Sequence, residues 1–263
     1  MTGSEGDVWL GRQDLHVHTN MSDGDLSLAE VVEVAAERGI RVGIADHVST
    51  RNPEQFVSTP ERLEQYLAAI EVAPVFRSAE FCWCDPFAAH LAEDLLHRFD
   101  YLIGSNHGFM LPDGTLASPW WAELPAPWTD RSQELMDVMV RNLCEMVSSM
   151  PIDIAAHPTL LPPALLDIDP DLETWWTGER EDRLIEAAVK AGVALEISNR
   201  YRLPHLRFLI KARQAGARFS VGSDGHQRHQ VARLDWAVDA ARTASITDEN
   251  LFIPEPGKRP GLY

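Results

Sequence analysis

Cysteine is scarce: the 263-residue chain has only Cys82, Cys84 and Cys144. Three thiols cannot build a disulfide framework, and Cys82 and Cys84 are too close in sequence for an ordinary bridge. A reducing, cytoplasmic setting is therefore expected. Long apolar runs are missing. No stretch approaches the ~20 residues of a membrane-spanning helix. The opening MTGSEGDVWLGRQDL has neither the basic part nor the apolar part of a signal peptide. Positive charge is also short, with 23 Lys and Arg against 40 Asp and Glu and a net charge of −17. That field repels a nucleic-acid backbone unless a local basic patch intervenes, and no such Lys/Arg cluster occurs. Neither a nucleic-acid nor a membrane partner is expected; the oligomeric state is left open. No G-x-G-x-x-G follows a strand-like segment and no serine sits in a G-x-S-x-G elbow, so dinucleotide binding and serine hydrolysis lack their motifs.

What the chain does have is a rhythm of short apolar strand followed by amphipathic helix. Strand-like segments are Gln13–His18, IRVGIAD, APVFRSAEF, DYLIGSN, IDIAAH, GVALEIS and ARFSVGS. Ser27-Leu28-Ala29-Glu30 reads as a capping box, with Gly39 suited to close the helix it opens. Thr59-Pro60 opens the next helix. AAHLAEDLLHRF and about 131–149 read as further helices. No linker or composition break divides the chain, so one domain over 1–263 is expected. Alternating β and α units with continuously apolar strands imply a parallel sheet covered by helices. Seven such units suggest a closed barrel. Gly108 to Asp130, rich in Pro and Trp, reads as a long irregular loop. Such loops are often lids or binding loops. Trp120, Trp121 and Trp128 could close over an organic part of a substrate, pack on the barrel, or form an oligomer contact.

The chemistry collects at one end of these strands. The first segment ends in His16 and His18, with Asp23 in the following turn. Asp46-His47 ends the second, Glu80 the third, His107 the fourth, His157 the fifth, Glu196 the sixth, and Asp224 and His226 the seventh. In parallel α/β barrels the catalytic groups sit on that rim. One H-x-H alone is weak, and a lone strand-end histidine is more often structural. The set is different, because six of the ten histidines fall where strands end. Imidazole with carboxylate suits Zn²⁺, Mn²⁺ or Fe. Nine ligands are too many for one ion, and a carboxylate can bridge, so two or three divalent ions are expected. Without metal, so many acids and imidazoles around one cavity would go unpaired at real cost.

The ordered motifs DLHVHTNMSDG, ADH, SAE, DYLIGSNHG, IAAHP and GSDGH resemble those of the PHP (polymerase and histidinol phosphatase) superfamily over about Asp14 to His226. The resemblance implies an α/β fold, a distorted (β/α)7 barrel with parallel strands, and a trinuclear metal centre. It implies one ion on His16, His18, Glu80 and Asp224, a second on Glu80, His107 and His157, and a third on Asp23, His47 and His226. The last motif reads SDGH where an Ala before the final His is common.

Clustered divalent ions supply hydroxide at neutral pH, which can attack phosphorus in line. A small phosphorylated metabolite is the expected substrate, in the manner of the stand-alone histidinol-phosphate phosphatases that the chain resembles in length. Asp224, His226 and Arg200 are candidate catalytic groups. Arg200, Arg202 and Arg228 are candidate phosphate grips, because arginine forks match phosphate geometry; rim salt bridges are the competing reading. His205 and His229 are candidate general acids or plain surface histidines. Cys82 and Cys84 alternate with Glu80, and barrel packing suits them better than catalysis. Two alternatives stay open: the same hydroxide could attack an amide, ester or lactone, or the site could bind metal without turnover.

Overall fold

A computed structural model describes residues 8–85, 93–118, 120, 124 and 126–257. Eleven strands are described: β1 (Gln13–Val17), β2 (Arg41–Ile44), β3 (His47–Val48), β4 (Phe76–Arg77), β5 (Glu80–Cys82), β6 (Ile103–Ser105), β7 (Phe109–Met110), β8 (Leu116–Ala117), β9 (Ile154–Ala155), β10 (Ala194–Ser198) and β11 (Phe219–Gly222). β1, β2 and β4 form one sheet, and β11, β10, β9, β6, β5 and β3 another. Every pairing within these two sheets is parallel.

The two sheets share their segments. β2 runs into β3 through Ala45-Asp46, and β4 into β5 through Ser78-Ala79. Ala45 N–H donates to Val17 O, Ser78 N–H to Ile44 O and Glu80 N–H to Asp46 O, so backbone pairing continues across both interruptions. At the other edge Val17 forms a parallel bridge to Gly225, just beyond β11, and His18 N–H donates to Gly225 O at 3.0 Å.

The helices begin and end where local chemistry directs. Helix Leu28–Arg38 carries the Ser27/Glu30 capping box and closes on Gly39 at φ +64°. Helix Pro60–Glu71 is capped by Thr59, whose hydroxyl accepts from Arg62 N–H. Helix Gly178–Ala191 is capped by Thr177 and closed by Gly192 at φ +71°. The larger core lies between strands and helices and includes Val31, Leu63, Leu143, Ile185 and Phe208. A second core, with Leu15, Phe76, Tyr101, Ile103, Ile154 and Ala194, gathers side chains from β1, β4, β6, β9 and β10. β10 is buried along its whole length, as its ALEIS sequence predicts.

One expectation needs correction. Gly108–Asp130 is not wholly irregular: β7 and β8 form an antiparallel hairpin, and Trp128–Asp130 is a 3₁₀ turn. The cause is Asp113-Gly114, a dipeptide that favours turns, with Gly114 at φ +85°. Trp121 lies outside the described residues. Of the helix expected over AAHLAEDLLHRF, residues 88–92 lie outside the described residues, and Glu93–Leu96 is helical.

Candidate metal centre

The first turn of the site is built by Asp46. Its carboxylate accepts from Thr19 N–H (2.7 Å), Thr19 Oγ1 (2.7 Å) and Ser22 Oγ (2.5 Å). Those bonds fold residues 18–24 back over the strand ends and aim His18 and Asp23 inward. Asp46 is therefore a brace, while its neighbour His47 faces the cluster; adjacent residues of an extended chain point opposite ways. Asp14 works similarly. It accepts from Ser223 N–H (2.8 Å) and Ala232 N–H (2.9 Å), tying β1 to the segment that bears Asp224 and His226. Burial raises both braces, Asp14 and Asp46, to about 6.

Glu80 stands at the centre. One carboxylate oxygen, Oε2, lies 3.4 Å from His16 Nε2, 3.6 Å from His18 Nε2 and 2.9 Å from His47 Nδ1. The other, Oε1, lies 3.6 Å from His107 Nε2 and 3.5 Å from His157 Nε2. Asp23 meets His18, His47 and His226 at 3.5, 3.5 and 3.2 Å. Asp224 Oδ1 lies 3.3 Å from His18 Nε2. Among the described residues, four groups could hold an ion: His16/His18/Glu80, Glu80/His107/His157, His18/Asp23/His47/His226 and His47/Cys82/His107. The first contains three of its four expected residues and lacks Asp224, the second has the expected residues, and the third adds His18 to Asp23, His47 and His226. The fourth brings in Cys82.

The donor set fits cations. His18 Nδ1 and Glu80 Oε1 are buried without a hydrogen-bond partner, while His47 Nδ1 is 2.9 Å from Glu80 Oε2. Nitrogens of His16 and His18 face each other at 3.1 Å, and those of His107 and His157 at 3.3 Å. Buried polar atoms are normally satisfied, so orphaned atoms converging on shared points call for an ion between them. Two of the contributing residues also sit at positive φ, Asp224 at +48° and His157 at +28°. Backbone strain of this kind is held where function needs a side chain aimed.

The protonation states follow from burial and charge. Burial drives His18 and His107 down to about 3, so both stay neutral and able to ligate. For His16, burial opposes protonation but Glu196 and Glu80 outweigh it and raise the ring well above its ordinary value. For His47, burial likewise loses to Glu80 and Asp23. Burial would raise Glu80, yet His47, His107 and His16 hold it well below the carboxylate range. Asp23 and Asp224 are also pulled down by neighbouring histidines against burial.

Glu196 supports two of these groups at once. Its Oε1 lies 2.7 Å from His16 Nδ1, and its Oε2 accepts His157 N–H at 2.6 Å. A Cβ on Gly222 would come within 2.2 Å of Glu196 Oε1, so the glycine makes room for the carboxylate. The far nitrogen of His107 is 3.2 Å from Ser105 Oγ and 3.5 Å from Cys82 Sγ.

The cluster opens into a cavity of about 480 Å³. Arg200 and Arg51 both line it, with Phe56, Trp120, Tyr201 and Ser118. Arg200 Nη1 lies 2.6 Å from His226 Nδ1 and 3.4 Å from Asp224 Oδ1. Arg202 and Arg228 are exposed and do not line this cavity; Arg228 pairs with Glu33 and Glu37 on helix Leu28–Arg38. His205 turns to the buried Glu181 at 2.8 Å, on helix Gly178–Ala191. Arg51, Phe56 and Tyr201 escaped sequence reasoning. Arg51 and Phe56 follow His47 in the loop after β3, and Tyr201 follows Arg200, so loop position was the available signal.

A family model described as "PHP domain" matches residues 14–200, and the chain belongs to that family. The chain is similar to DNA polymerase/3'-5' exonuclease PolX of Bacillus subtilis (strain 168), at 25% identity over 253 residues. That match covers 91% of this chain, which spans 38% of the relative's length. Among solved structures, an HpcH/HpaI aldolase from Desulfitobacterium hafniense DCB-2 matches 81% of this chain and 86% of its own, with 16% identity and a TM-score of 0.39. No helix among the described residues is long and apolar enough to cross a membrane.

Proposed function

We propose that this chain is a metal-dependent phosphoesterase acting on a small phosphorylated metabolite. The observation that carries the reading is the convergence of His16, His18, Asp23, His47, Glu80, His107, His157, Asp224 and His226 beside a cavity that also presents Arg200 and Arg51. His16, His18, Glu80 and Asp224 would hold one divalent ion, Glu80, His107 and His157 a second, and Asp23, His47 and His226, with His18 beside them, a third; Zn, Mn and Fe all suit these donors. Divalent cations, when bound, supply Lewis acidity and hydroxide at neutral pH. Glu80, which belongs to two of the candidate groups, would be the carboxylate shared between ions and would offset part of their charge.

Arg200 is the first phosphate grip. His226 can offer Nε2 to a cation only with its proton on Nδ1, where it no longer accepts from Arg200. The guanidinium then keeps its 3.4 Å contacts to Asp224 and can turn a donor to a phosphate oxygen. Arg51 donates to His107 O (3.1 Å) and Trp83 O (3.0 Å) and adds positive potential from the opposite loop. Hydrolysis breaks the P–O ester bond; the oxygen of water joins phosphorus and a proton passes to the departing alcohol. A distorted seven-stranded barrel is the architecture we propose for this site; the two parallel sheets and the Val17–Gly225 bridge support it. The free cysteines suit a cytoplasmic setting.

A second reading is release of nucleotides from a DNA end, favoured by the likeness to PolX and opposed by the net charge of −17. The test is a panel of phosphomonoesters, phosphodiesters, single-stranded DNA and carboxyl esters with metal-loaded protein. Phosphomonoester turnover is expected, with kcat/KM falling ~10²-fold or more in Arg200→Ala. Turnover of carboxyl esters alone, untouched by Arg200→Ala, would overturn the reading.

A further inference from the structure

One thiol sits among the imidazoles and has no part in the three ion positions assigned above. Cys82 closes β5 two residues after Glu80, so strand alternation puts both side chains on one face. In the parallel register Cys82 lies opposite Ser105 of β6, and His47 of β3 lies opposite Glu80. His107 follows Ser105 by two residues and meets the thiol from that side. Its Nδ1 is 3.5 Å from Cys82 Sγ. One donor atom each of His47, Cys82 and His107 lies within 4.8 Å of the other two. Cys82 is buried, yet it borders the cavity. Cys84 follows the strand at φ +60° and does not line the cavity. The two cysteines, alike in sequence, are therefore placed for different uses.

We propose that His47, Cys82 and His107 form a position for a soft divalent cation such as Cd²⁺, and that filling it draws ligands away from the hydrolytic centre. Thiolate with imidazole favours soft and borderline ions, whereas the carboxylate-bearing groups around Glu80 and Asp23 also accept hard ones. The spacing agrees. A zinc-sized ion in tetrahedral geometry, with bonds of about 2.3 Å to sulfur and about 2.0 Å to nitrogen, holds those two donors roughly 3.5 Å apart. Cys82 Sγ and His107 Nδ1 already stand at that separation, and a larger ion asks slightly more. Competition follows from ring chemistry. His107 turns Nε2 to Glu80 and His157, and Nδ1 to the thiol. A neutral imidazole has one nitrogen free of a proton, so it ligates through one nitrogen at a time. An ion held through Nδ1 takes His107 from the group with Glu80 and His157. His47 is likewise taken from the group with His18, Asp23 and His226. In the resting state, with Nε2 given to the centre, Nδ1 bears the proton and can donate to Ser105 Oγ at 3.2 Å. The thiol releases its own proton to solvent only when the soft ion binds. The inference rests on the metal centre of the proposed function and on no particular substrate.

The test titrates Cd²⁺ into the full chain loaded with Mn²⁺ and gel-filters each sample. Sulfur-to-cadmium charge-transfer absorption is expected to saturate at one equivalent, with at least one Mn²⁺ lost per Cd²⁺ bound by elemental analysis. Cys82→Ser should lose the absorption and keep its Mn²⁺. Its Cd²⁺ affinity should fall by more than the ~10-fold that losing even an outer partner of a ligand costs. Cys84→Ser should behave as the native chain does. X-ray absorption at the cadmium edge reads the ligands in the native chain without any variant, and one sulfur beside nitrogens is expected. A shell of oxygen and nitrogen alone would overturn the proposal, as would absorption that survives Cys82→Ser. Cadmium bound through Cys82 with no Mn²⁺ lost would overturn the competition. A chain that holds Mn²⁺ but shows no cadmium–thiolate absorption loses this proposal and keeps its metal centre; one that binds neither ion loses both.

Discussion

Replacing Glu80 by Gln keeps the side chain's size and removes one charge. Its carboxylate faces five imidazole nitrogens between 2.9 and 3.6 Å away. It belongs to two of the four candidate groups, His16/His18/Glu80 and Glu80/His107/His157. A unit charge pair at 4 Å contributes about 4 kcal/mol at an effective dielectric of 20. Each positive charge held beside Glu80 should lose about that much, and about 1.4 kcal/mol is tenfold in affinity. Glu80→Gln should therefore weaken two metals together, each by ~10³-fold or more. The assay is elemental analysis after dialysis at fixed free metal, followed by chelator competition. Circular dichroism of the metal-free protein serves as the check on folding. His226→Ala is the contrast, because it touches only the group with His18, Asp23 and His47. If Glu80→Gln kept the native metal content with affinities within ~10-fold, the shared-carboxylate argument would be refuted.

Other expectations follow from the same geometry. Glu196→Gln cannot accept from both the His16 ring and His157 N–H, because one of its two terminal atoms is a donor. Metal affinity should drop ~10- to 100-fold, with an altered visible spectrum in the Co²⁺-substituted protein; an unchanged spectrum and affinity would remove Glu196 from the site. Gly43→Ala would place a Cβ 1.7 Å from the Tyr101 hydroxyl, which donates to Leu15 O at 2.6 Å. Overpacking and the lost bond together should cost about 2–5 kcal/mol in urea unfolding; a loss under ~1 kcal/mol would show that Tyr101 moves aside freely. Asp100 gives a pH test. Burial would raise it, but Arg77 and the Gly257 amide hold it below the ordinary carboxylate value. Its folded value is depressed, so its stabilisation is complete above the unfolded value near ~4 and is lost as pH falls through the folded value. Asp100→Asn should cost roughly 1.5–3 kcal/mol at neutral pH, with the gap from the native chain closing below pH ~4; a gap of constant size in chelator-treated proteins would contradict this.

The alternation of apolar segments with capped helices could be read directly from the chain. Helix starts at Ser27 and Thr59 are local, since each cap needs only residues three apart. The same locality explains why strand ends were readable: an apolar run stops where His or Asp begins. The Asp113-Gly114 turn was readable too, but the Trp and Pro residues around it masked a two-residue hairpin. Histidine and carboxylate positions identified the site because their types are chemically restrictive. Their individual roles were less visible. Asp46 and His47 are neighbours in sequence, yet one braces a turn and the other faces the cluster.

The sequence by itself determined the parallel α/β class, the starts of the capped helices at Ser27 and Thr59 and the inventory of metal-competent groups, because these depend on side-chain type and short-range spacing. Only the tertiary structure decided which charged groups meet. Arg200 reached the cavity while His205 was taken by Glu181 and Arg228 by Glu33 and Glu37. Arg51, Phe56, Trp120 and Tyr201, from three separate loops, came to line one cavity. The physical reason is that long polar side chains choose partners by distance and competing charge across the fold, and no local pattern encodes that competition.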